Sequence, residues 1–398
     1  MSWECKTLDQ LGEVSRGRSK HRPRNDPSLF GGEYPFIQTA DVKAANFYIT
    51  EYDTTYNEKG LAQSKLWHPG TLCITIAANI ADTGILAMDA CFPDSVMGFL
   101  PYEGIADVRF VKYCFDILQQ NCKKISQGAA QDNLSWEKLS TILFPAPPIE
   151  VQTKIADMLS IYDDLIENNQ KQIKLLEEAA QRLYKERFVD LRFPGHETTS
   201  IVDGVPEGWK KYKFSEIVAI MSGGTPKTDV KEYYDGDIPF YTPKDSDASF
   251  FAFDTITHIS QSGLDHCNSQ YYPVGTVIIT ARGTVGKTTI LAVPMAMNQS
   301  CYALKCDELD SPYYLFFSLN KEVAALKTMA NGGVFNTIIV KTFDSIHLTV
   351  PTRGVLTAFD AVVSPIMDQI KAKMQQNTLL AEARDRLLPK LMNGEIEV

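Results

Sequence analysis

The sequence has little that would place the chain in a membrane, in an oxidising compartment or around a metal ion. Its 398 residues contain no apolar run near the roughly 18 residues that a membrane helix needs. The eight cysteines include no C-x-x-C pair, and the six histidines show no H-x-x-x-H spacing, which argues against a disulfide framework and a zinc site. Residues 1–10 lack a signal-peptide pattern. We therefore expect a soluble cytoplasmic protein without a metal.

The sequence also lacks the motifs of several enzyme classes. Residues 283–289 read Gly-Thr-Val-Gly-Lys-Thr-Thr, but a phosphate-binding loop needs a glycine at the position of Ala281. Residues 146–149, Ala-Pro-Pro-Ile, have neither the polar first residue nor the aromatic last residue with which adenine methyltransferases hold a flipped base. A Gly-x-Ser-x-Gly elbow is absent, and carboxylates and a lysine do not occur in the order that a nuclease needs. We expect no catalytic residues and no cofactor.

Residues 150–190 form a stretch without glycine or proline in which apolar residues recur at steps of three and four. This spacing is typical of one apolar stripe on a helix. The stripe consists of Val151, Ile155, Met158, Tyr162, Leu165, Ile166, Ile173, Leu176, Ala180 and Leu183. At about 1.5 Å per residue the helix is roughly 50–60 Å long. Because an ordinary domain cannot bury a stripe of that length, the helix needs a second helix as its partner.

A second stretch with apolar residues at the same spacing, residues 351–398, repeats the first at an offset of 204 positions. Its stripe consists of Val355, Phe359, Val362, Ile366, Ile370, Leu380 and Leu387. The register also holds where residues 175–179 correspond to residues 379–383. A constant offset over about 35 residues indicates an internal duplication.

The segments that precede these helices repeat each other as well. Residues 1–149 and 208–350 consist of short apolar or alternating runs between turn signals, which is typical of β-rich domains. Residues 191–207 are polar and rich in turn formers, as expected for a linker. We predict an α+β fold with two mixed, β-rich domains. Two long antiparallel coiled-coil helices, residues 150–190 and 351–398, separate the domains and complete a pseudo-twofold repeat.

A molecule built in this way holds two related surfaces at a fixed separation. B-DNA repeats about every 34 Å, so a spacer of this length can place two domains on separate turns of one DNA face. A bipartite DNA target is therefore the expected ligand. A scaffold that joins protein partners is the alternative, and salt-sensitive binding to a bipartite duplex distinguishes the two hypotheses.

The charge of the chain is unevenly distributed. The net charge is −10 and the isoelectric point is near 5.2, which alone argues weakly against nucleic-acid binding. Yet five cations crowd into residues 16–24, Arg-Gly-Arg-Ser-Lys-His-Arg-Pro-Arg. This run is either a DNA-contacting loop or a solvated one, because an acidic protein can still present a basic face.

The C-terminal residues carry the most specific resemblance to a known family. Residues 384–396 read Arg-Asp-Arg-Leu-Leu-Pro-Lys-Leu-Met-Asn-Gly-Glu-Ile. The second long helix in specificity subunits of type I restriction-modification systems commonly ends R-D-x-L-L-P-K-L-x-x-G-E-I. The family's G-x-T-P, I-P-(F/W), R-G-x-x-G and P-x-x-x-Q-x-x-I elements resemble residues 224–226, 238–240, 282–286 and 148–155. The resemblance covers essentially the whole chain.

The resemblance implies that each domain is a target-recognition domain that reads one half of a split double-stranded DNA target. It implies further that the long helices set the gap between the half-sites and bind DNA adenine methyltransferase subunits. The same complex recruits a restriction and translocase subunit, and the specificity subunit is not itself catalytic in this family. A stand-alone DNA-modifying enzyme is a less favoured alternative.

The first domain departs from the family pattern at residues 77–80, Ala-Ala-Asn-Ile, where residues 281–284 of the second domain read Ala-Arg-Gly-Thr. Contact residues therefore cannot be transferred from one domain to the other. The candidates in the first domain are Arg16, Arg18, Lys20, Arg22, Arg24, Gln38, Thr39, Gln131 and Asn133. The candidates in the second domain are Thr225, Lys227, Thr242, Lys244, Arg282, Lys287, Asn331 and Asn336. Cations suit phosphates and guanine, and amides suit adenine, but many of these types also occur in turns.

Overall fold

The fold is that of a computed structural model of the chain. It describes residues 3–76, 81–125, 136–202, 204–247, 249–307, 309–329 and 337–398. The chain divides into two compact units, of which unit 1 comprises Met1–Asn169 with Gln376–Val398 and unit 2 comprises Gln170–Gln375. Among the described residues no helix combines the length and the apolar character needed to cross a membrane.

The elements of the N-terminal half are mainly short strands. The strands are β1 (Glu4–Lys6), β2 (Gly12–Arg16), β3 (Phe30–Pro35), β4 (Tyr48–Ile49), β5 (Thr55–Tyr56), β6 (Leu66–Trp67), β7 (Leu72–Thr75), β8 (Thr83–Leu86), β9 (Ala90–Cys91), β10 (Val96–Pro101) and β11 (Phe144–Ala146). The helices are α1 (Leu8–Leu11), α2 (Thr39–Ala44), α3 (Glu58–Ala62), α4 (Val108–Ile125), α5 (Trp136–Leu139) and α6 (Ile149–Tyr184). A π-helical turn, Lys185–Val189, continues α6.

The C-terminal half has a similar set of short strands and helices. The strands are β12 (Ile201–Val202), β13 (Val205–Pro206), β14 (Lys210–Lys213), β15 (Ala219–Ser222), β16 (Ile238–Tyr241), β17 (Phe251–Ala252), β18 (His258–Ile259), β19 (Val277–Thr280), β20 (Thr288–Leu291), β21 (Ala296–Met297), β22 (Cys301–Lys305) and β23 (His347–Val350). The helices are α7 (Phe214–Ile217), α8 (Gln261–Asp265), α9 (Pro312–Met329), α10 (Val340–Phe343) and α11 (Arg353–Met392).

Unit 1 is built on a five-stranded sheet, within the described residues, in the order β2-β10-β7-β8-β4. Its strand pairs are antiparallel except for the parallel pair β4–β8. Every residue of β7 is buried, because its side chains alternate between two cores. Leu72 and Ile74 pack with α4, whereas Cys73 packs on the other face with Trp67. A short, wholly apolar run is the pattern expected for a strand covered on both faces.

Unit 2 repeats this topology, again within the described residues, in a sheet of the order β15-β22-β19-β20-β17. The pair β17–β20 is parallel, as is its counterpart in unit 1. The helices that cover the two sheets, α4 and α9, start 204 positions apart, at Val108 and Pro312. This offset is the one found in the sequence, so the internal repeat and the α+β fold class are confirmed.

The long helices run antiparallel within each unit. In unit 1 the Asn169 side-chain amide, on α6, donates hydrogen bonds to Gln376 and Asn377, on α11, over 3.0 and 2.9 Å. In unit 2 the ring centroids of Phe188 and Phe359 lie 5.0 Å apart. In unit 1 Asp163 of α6 also pairs with Arg384 of α11, so the residue numbers fall along one helix as they rise along the other, which confirms the predicted antiparallel pairing.

The predicted apolar stripes are wrong at three positions, one of which is Leu165 with an exposed fraction of 42%. Met158 and Val362 are 38% and 45% exposed, whereas the next residues, Leu159 and Val363, are buried. The shift arises because the buried face of α6 also includes polar residues, Asp163 among them. A search for apolar spacing passes over such residues and selects the neighbouring apolar ones.

Candidate nucleic-acid interface

The basic run that follows β2 is an extended segment whose side chains alternate. Gly17 and Ser19 are buried, whereas Arg16, Arg18 and Lys20 are exposed. The segment is held against the β9–β10 loop, since the N–H of Gly17 donates to the Val96 carbonyl over 2.8 Å. A Cβ at Gly17 would lie 2.3 Å from the Pro93 carbonyl oxygen, so only glycine allows this approach. The alternation directs three cations outward.

The other two cations of the run have partners inside unit 1. The Arg22 guanidinium donates to the backbone carbonyls of Ser19 and His21 over 2.7 and 2.8 Å. Arg24 forms an ion pair of 2.7 Å with Asp94. Among the described residues no acidic side chain pairs with Arg16, Arg18 or Lys20. These three side chains are therefore the ones available to an anionic ligand.

The end of the basic run is held by a local hydrogen-bond network. The imidazole of His21 lies 2.8 Å from the Asp26 carboxylate. The backbone N–H of Ser28 also donates to Asp26 and, ahead of His21, lowers the pKa of the carboxyl group to about 2. A carboxylate with several donors stays ionised, so Asp26 keeps its hydrogen bonds to His21 and Ser28. These hydrogen bonds hold the loop that carries Arg24, which lies beside Asp94.

A cavity of about 400 Å³ opens next to this run in unit 1. Its lining residues are Ser19, Arg24, Asn25, Phe30, Phe36, Gln38, Thr39, Thr54, Pro93 and Ser95. The structure thus brings Arg24 together with Gln38 and Thr39, which lie 14 and 15 positions further along the chain. Gln38 is oriented at both ends. Its side-chain amide donates to the Thr54 hydroxyl over 3.3 Å, and its backbone N–H donates to Asp41 over 2.7 Å.

In unit 2 the loop after β15 occupies the corresponding position. Gly223 and Gly224 pass so close to other backbone that a Cβ would lie 2.2 Å from the Asn298 carbonyl oxygen and 2.5 Å from the Asn268 nitrogen. Thr225 and Lys227 follow them and are exposed. The Thr225 hydroxyl donates to the Gln299 side chain. The exposed Gln299 therefore lies in the candidate interface, although no sequence motif marks it.

The turn after β16 and the β19–β20 loop contact each other. The Thr284 hydroxyl donates to the Pro243 carbonyl over 3.2 Å, which brings the loop of Arg282 beside the turn of Lys244. Both cations are exposed. Thr242 is engaged within its own turn, where its hydroxyl donates to the Asp245 carboxylate over 2.7 Å.

The β19–β20 loop also lies against helix α9. Gly286, whose φ is +75°, allows the Lys327 ammonium group to lie 3.4 Å from its carbonyl oxygen. Burial, and then the charge of Lys287, lowers the pKa of Lys327. Two lysines in this arrangement repel each other, and an anion between them would relieve that repulsion. Lys327 was missed in the sequence because it looks like any charged residue of an amphipathic helix.

Some predicted residues belong to parts of the chain that the structure does not describe. Gln131, Asn133, Asn331 and Asn336 lie outside the described residues, as do residues 77–80, the first-domain counterpart of the Arg282 loop. The residues that the structure does describe form two comparable loop groups, one in each unit. Both groups combine exposed cations with amide or hydroxyl side chains on loops that leave a rigid sheet, an arrangement that suits phosphate and base contacts.

The chain was compared with known proteins. A family model described as the type I restriction modification DNA specificity domain matches residues 1–178 and again residues 206–376. The type I restriction enzyme MjaIX specificity subunit of Methanocaldococcus jannaschii is 24% identical over 409 residues, covering 100% of this chain and 94% of the relative. The HindI specificity subunit of Haemophilus influenzae is 24% identical over 460 residues, covering 97% and 98%.

A solved structure is similar in fold. The crystal structure of a type I restriction-modification system S subunit from M. genitalium has a TM-score of 0.58 and 14% sequence identity to this chain. The similarity covers 98% of this chain and 96% of that chain. At this identity the comparison concerns the fold alone.

Proposed function

The chain belongs to the type I restriction modification DNA specificity family, and on that premise we propose that it supplies sequence recognition to a restriction-modification complex. In this proposal units 1 and 2 each read one half of a bipartite double-stranded DNA target. Partner subunits then methylate adenine within the target or restrict DNA that lacks the modification. The chain itself contributes recognition and no catalytic residue.

One observation carries the proposal, namely that each unit presents exposed cations on clustered loops although the whole chain has a net charge of −10. In unit 1 these are Arg16, Arg18 and Lys20, and in unit 2 they are Lys244, Arg282 and Lys287. Cations in such loops neutralise DNA phosphates and release counterions. Amide and hydroxyl groups beside them, such as Gln38 in the unit 1 cavity, suit base edges in the major groove.

We propose further that exposed apolar residues on the long helices bind the methyltransferase subunits. In unit 1, Met158, Ile161 and Leu165 are all exposed, and their spacing places them on one face of α6. In unit 2, Val362 of α11 is exposed and stands 204 positions after Met158. Apolar side chains that are not needed for packing indicate an interaction surface. The surface is smaller in unit 2, where Pro365 and Gln369 correspond to Ile161 and Leu165.

The salt dependence of DNA binding tests the recognition role. We expect the variant Arg16→Gln, Arg18→Gln, Lys20→Gln to reduce the slope of log K against log salt by about 0.9 for each phosphate that is no longer neutralised. Lys210, Lys211 and Lys213 of β14 are also exposed, and changing these three to glutamine makes the matched control. Equal slopes for both variants and the parent would instead favour a protein-binding scaffold.

Sequencing of methylated bases tests the biological role. In cells that carry the chain with its partner subunits, we expect one bipartite adenine-methylation motif to disappear when the gene is deleted. Loss of no motif would contradict the proposal. The variant Met158→Ser, Ile161→Ser, Leu165→Ser should abolish methylation while leaving binding of the isolated chain to DNA unchanged, because it removes only the proposed partner surface.

A further inference from the structure

Unit 1 contains a buried polar network that joins three helices. The Asp163 carboxylate, on α6, is 1% exposed. It accepts a hydrogen bond of 2.6 Å from the Tyr113 hydroxyl, on α4, and a second one from the Arg384 guanidinium, on α11. Burial raises the pKa of Asp163, against the opposing effects of Arg384 and Tyr113. The carboxylate is therefore tolerated only because both partners are in place.

The internal repeat does not preserve this network. At the offset of 204 positions, Tyr113 corresponds to Phe317, Asp163 to Met367, and Arg384 to Ala180. These three residues of unit 2 are 4%, 0% and 0% exposed and belong to one apolar core. Equivalent places in the two units thus hold a charged network in one case and an apolar cluster in the other.

Unit 2 has a polar contact of its own that unit 1 does not repeat. The Tyr184 hydroxyl, on α6, lies 3.0 Å from the Ser318 hydroxyl, on α9, and the pair is buried. The corresponding residues of unit 1 are Leu388 and Cys114, which are both buried. Each unit therefore makes its polar contact with the helix segment that it contains. The corresponding helix segment of the other unit lacks the polar partner.

Exchange of the two segments would break both contacts. If a copy of residues 172–188 took the place of residues 376–392 in unit 1, Ala180 would stand where Arg384 stands. Asp163 would then be buried without its cation, which is strongly unfavourable. If residues 376–392 entered unit 2, Arg384 would lie among the apolar residues around Met367. The repeat would produce these pairings if two copies of the same half associated.

We propose that the Asp163–Arg384 and Tyr184–Ser318 contacts direct the two halves of the chain to pair with each other rather than with the same half of a second copy. A single buried polar residue is known to select helix partners and register in coiled coils. A duplicated chain needs such selection, because its two halves retain the same topology. This pairing function is independent of DNA recognition and of the proposed partner subunits.

A variant that copies the apolar cluster into unit 1 tests the proposal. It combines Tyr113→Phe, Asp163→Met and Arg384→Ala in the full chain. Two differently tagged preparations are unfolded together, refolded and separated by size, and the fraction of mixed-tag dimer is measured. We expect the triple variant to form about tenfold more mixed dimer than the parent, because exchange no longer leaves a charge unpaired.

Two further variants test the proposal if the triple variant does not fold. One changes Arg384 alone, and the other copies unit 1 residues into unit 2. Arg384→Ala alone should lower the melting temperature, and the triple variant should recover most of that loss. The pair Tyr184→Leu and Ser318→Cys copies the unit 1 residues into unit 2 without any charge, and it should also raise the mixed-dimer fraction. Mixed-dimer fractions equal to that of the parent in the folded variants would overturn the proposal.

Discussion

The carboxylate of Asp94 lies 2.7 Å from the guanidinium of Arg24, at the cavity that Gln38 and Thr39 also line. Both side chains are about half exposed, so the ion pair contributes little to stability. We expect the pair to affect the candidate nucleic-acid interface instead. Asp94 neutralises the Arg24 cation and places a negative charge near the expected path of the DNA.

The first prediction concerns this pair. Asp94→Asn should free Arg24 and increase affinity for duplex DNA several-fold at low salt, with little change in melting temperature. Fluorescence anisotropy with one duplex over a range of salt concentrations measures the effect. Asp89→Asn is the matched control, since Asp89 is also exposed in unit 1 but pairs with His68 instead. Equal affinities of the two variants would show that Asp94 lies away from the DNA.

The second prediction concerns Lys327. Lys327→Gln should weaken binding by a similar factor for every duplex sequence, because a lysine beside Lys287 and the Gly286 carbonyl is placed for a phosphate rather than a base. The salt slope should fall by about 0.9, because one phosphate is no longer neutralised. Lys321, which lies on the same helix and pairs with Glu322, provides the control variant Lys321→Gln, whose slope should equal that of the parent.

Much of the fold could be predicted because the duplication repeats each element, so that a pattern found in one half could be checked in the other. Helix α6 and helix α11 were found from spacing, and the constant offset joined them as partners. The contacts between the two long helices were harder to predict. Met158 and Val362 were selected because they are apolar, whereas the structure buries the polar Asp163 and Asn169. Pairing of polar residues across a seam leaves no periodic signal in either helix.

The candidate interface could be predicted only in part. Composition identified the basic run, but not which of its members are free. Arg24 is neutralised by Asp94, which lies 70 positions away, and the lysine next to the Gly286 loop comes from a helix 41 positions further along the chain. Such contacts follow from strand pairing in the sheets. No local pattern of residue types encodes them, so they were missed.

The third prediction concerns the pH dependence of stability through Glu177 of α6. Burial raises the pKa of Glu177 to about 7, although the backbone N–H of Phe250 lowers it. The folded state therefore binds a proton that the unfolded state, with an ordinary carboxyl pKa near 4.5, releases. The resulting stabilisation is complete below about pH 4.5 and is lost as the pH rises through about 7.

Glu177→Gln should remove this dependence. Melting temperatures measured between pH 5 and pH 8 should show the variant gaining on the parent as the pH rises. Glu178→Gln removes the same charge at the next position, where the side chain pairs with Arg182 on the surface. This control should keep a constant difference from the parent. A constant difference for Glu177→Gln as well would contradict the assigned pKa.

The fourth prediction concerns Pro365, which is exposed within α11. Proline has no N–H to donate to the Ala361 carbonyl, and it costs about 3 kcal/mol in a helix interior. Pro365→Ala should therefore stabilise the protein by up to about that amount in urea denaturation. Ser364→Ala changes helix propensity without restoring a hydrogen bond, so it should give a gain of at most about 0.5 kcal/mol. Equal gains would show that the helix already accommodates the proline.

The last prediction concerns the gap between the half-sites. Helices α6 and α11 each contribute residues to both units, and unit 1 ends at Asn169 on one helix and begins again at Gln376 on the other. Seven residues inserted after position 169 and seven inserted before position 376 would face each other in the antiparallel pair. At about 1.5 Å per residue both helices lengthen by about 10 Å, or about three base pairs.

We expect the methylated motif of this double insertion to keep both half-sites and to gain about three unspecified base pairs between them. Sequencing of methylated adenines in cells that carry the partner subunits measures the gap and the half-sites together. An insertion in α6 alone should abolish methylation, since the part of the helix that follows position 169 would lose its register with α11 in unit 2, where Phe188 packs against Phe359. The half-sites should stay the same because only the loops of the two units should read bases. Changed half-sites with an unchanged gap would show that the long helices do not set the spacing.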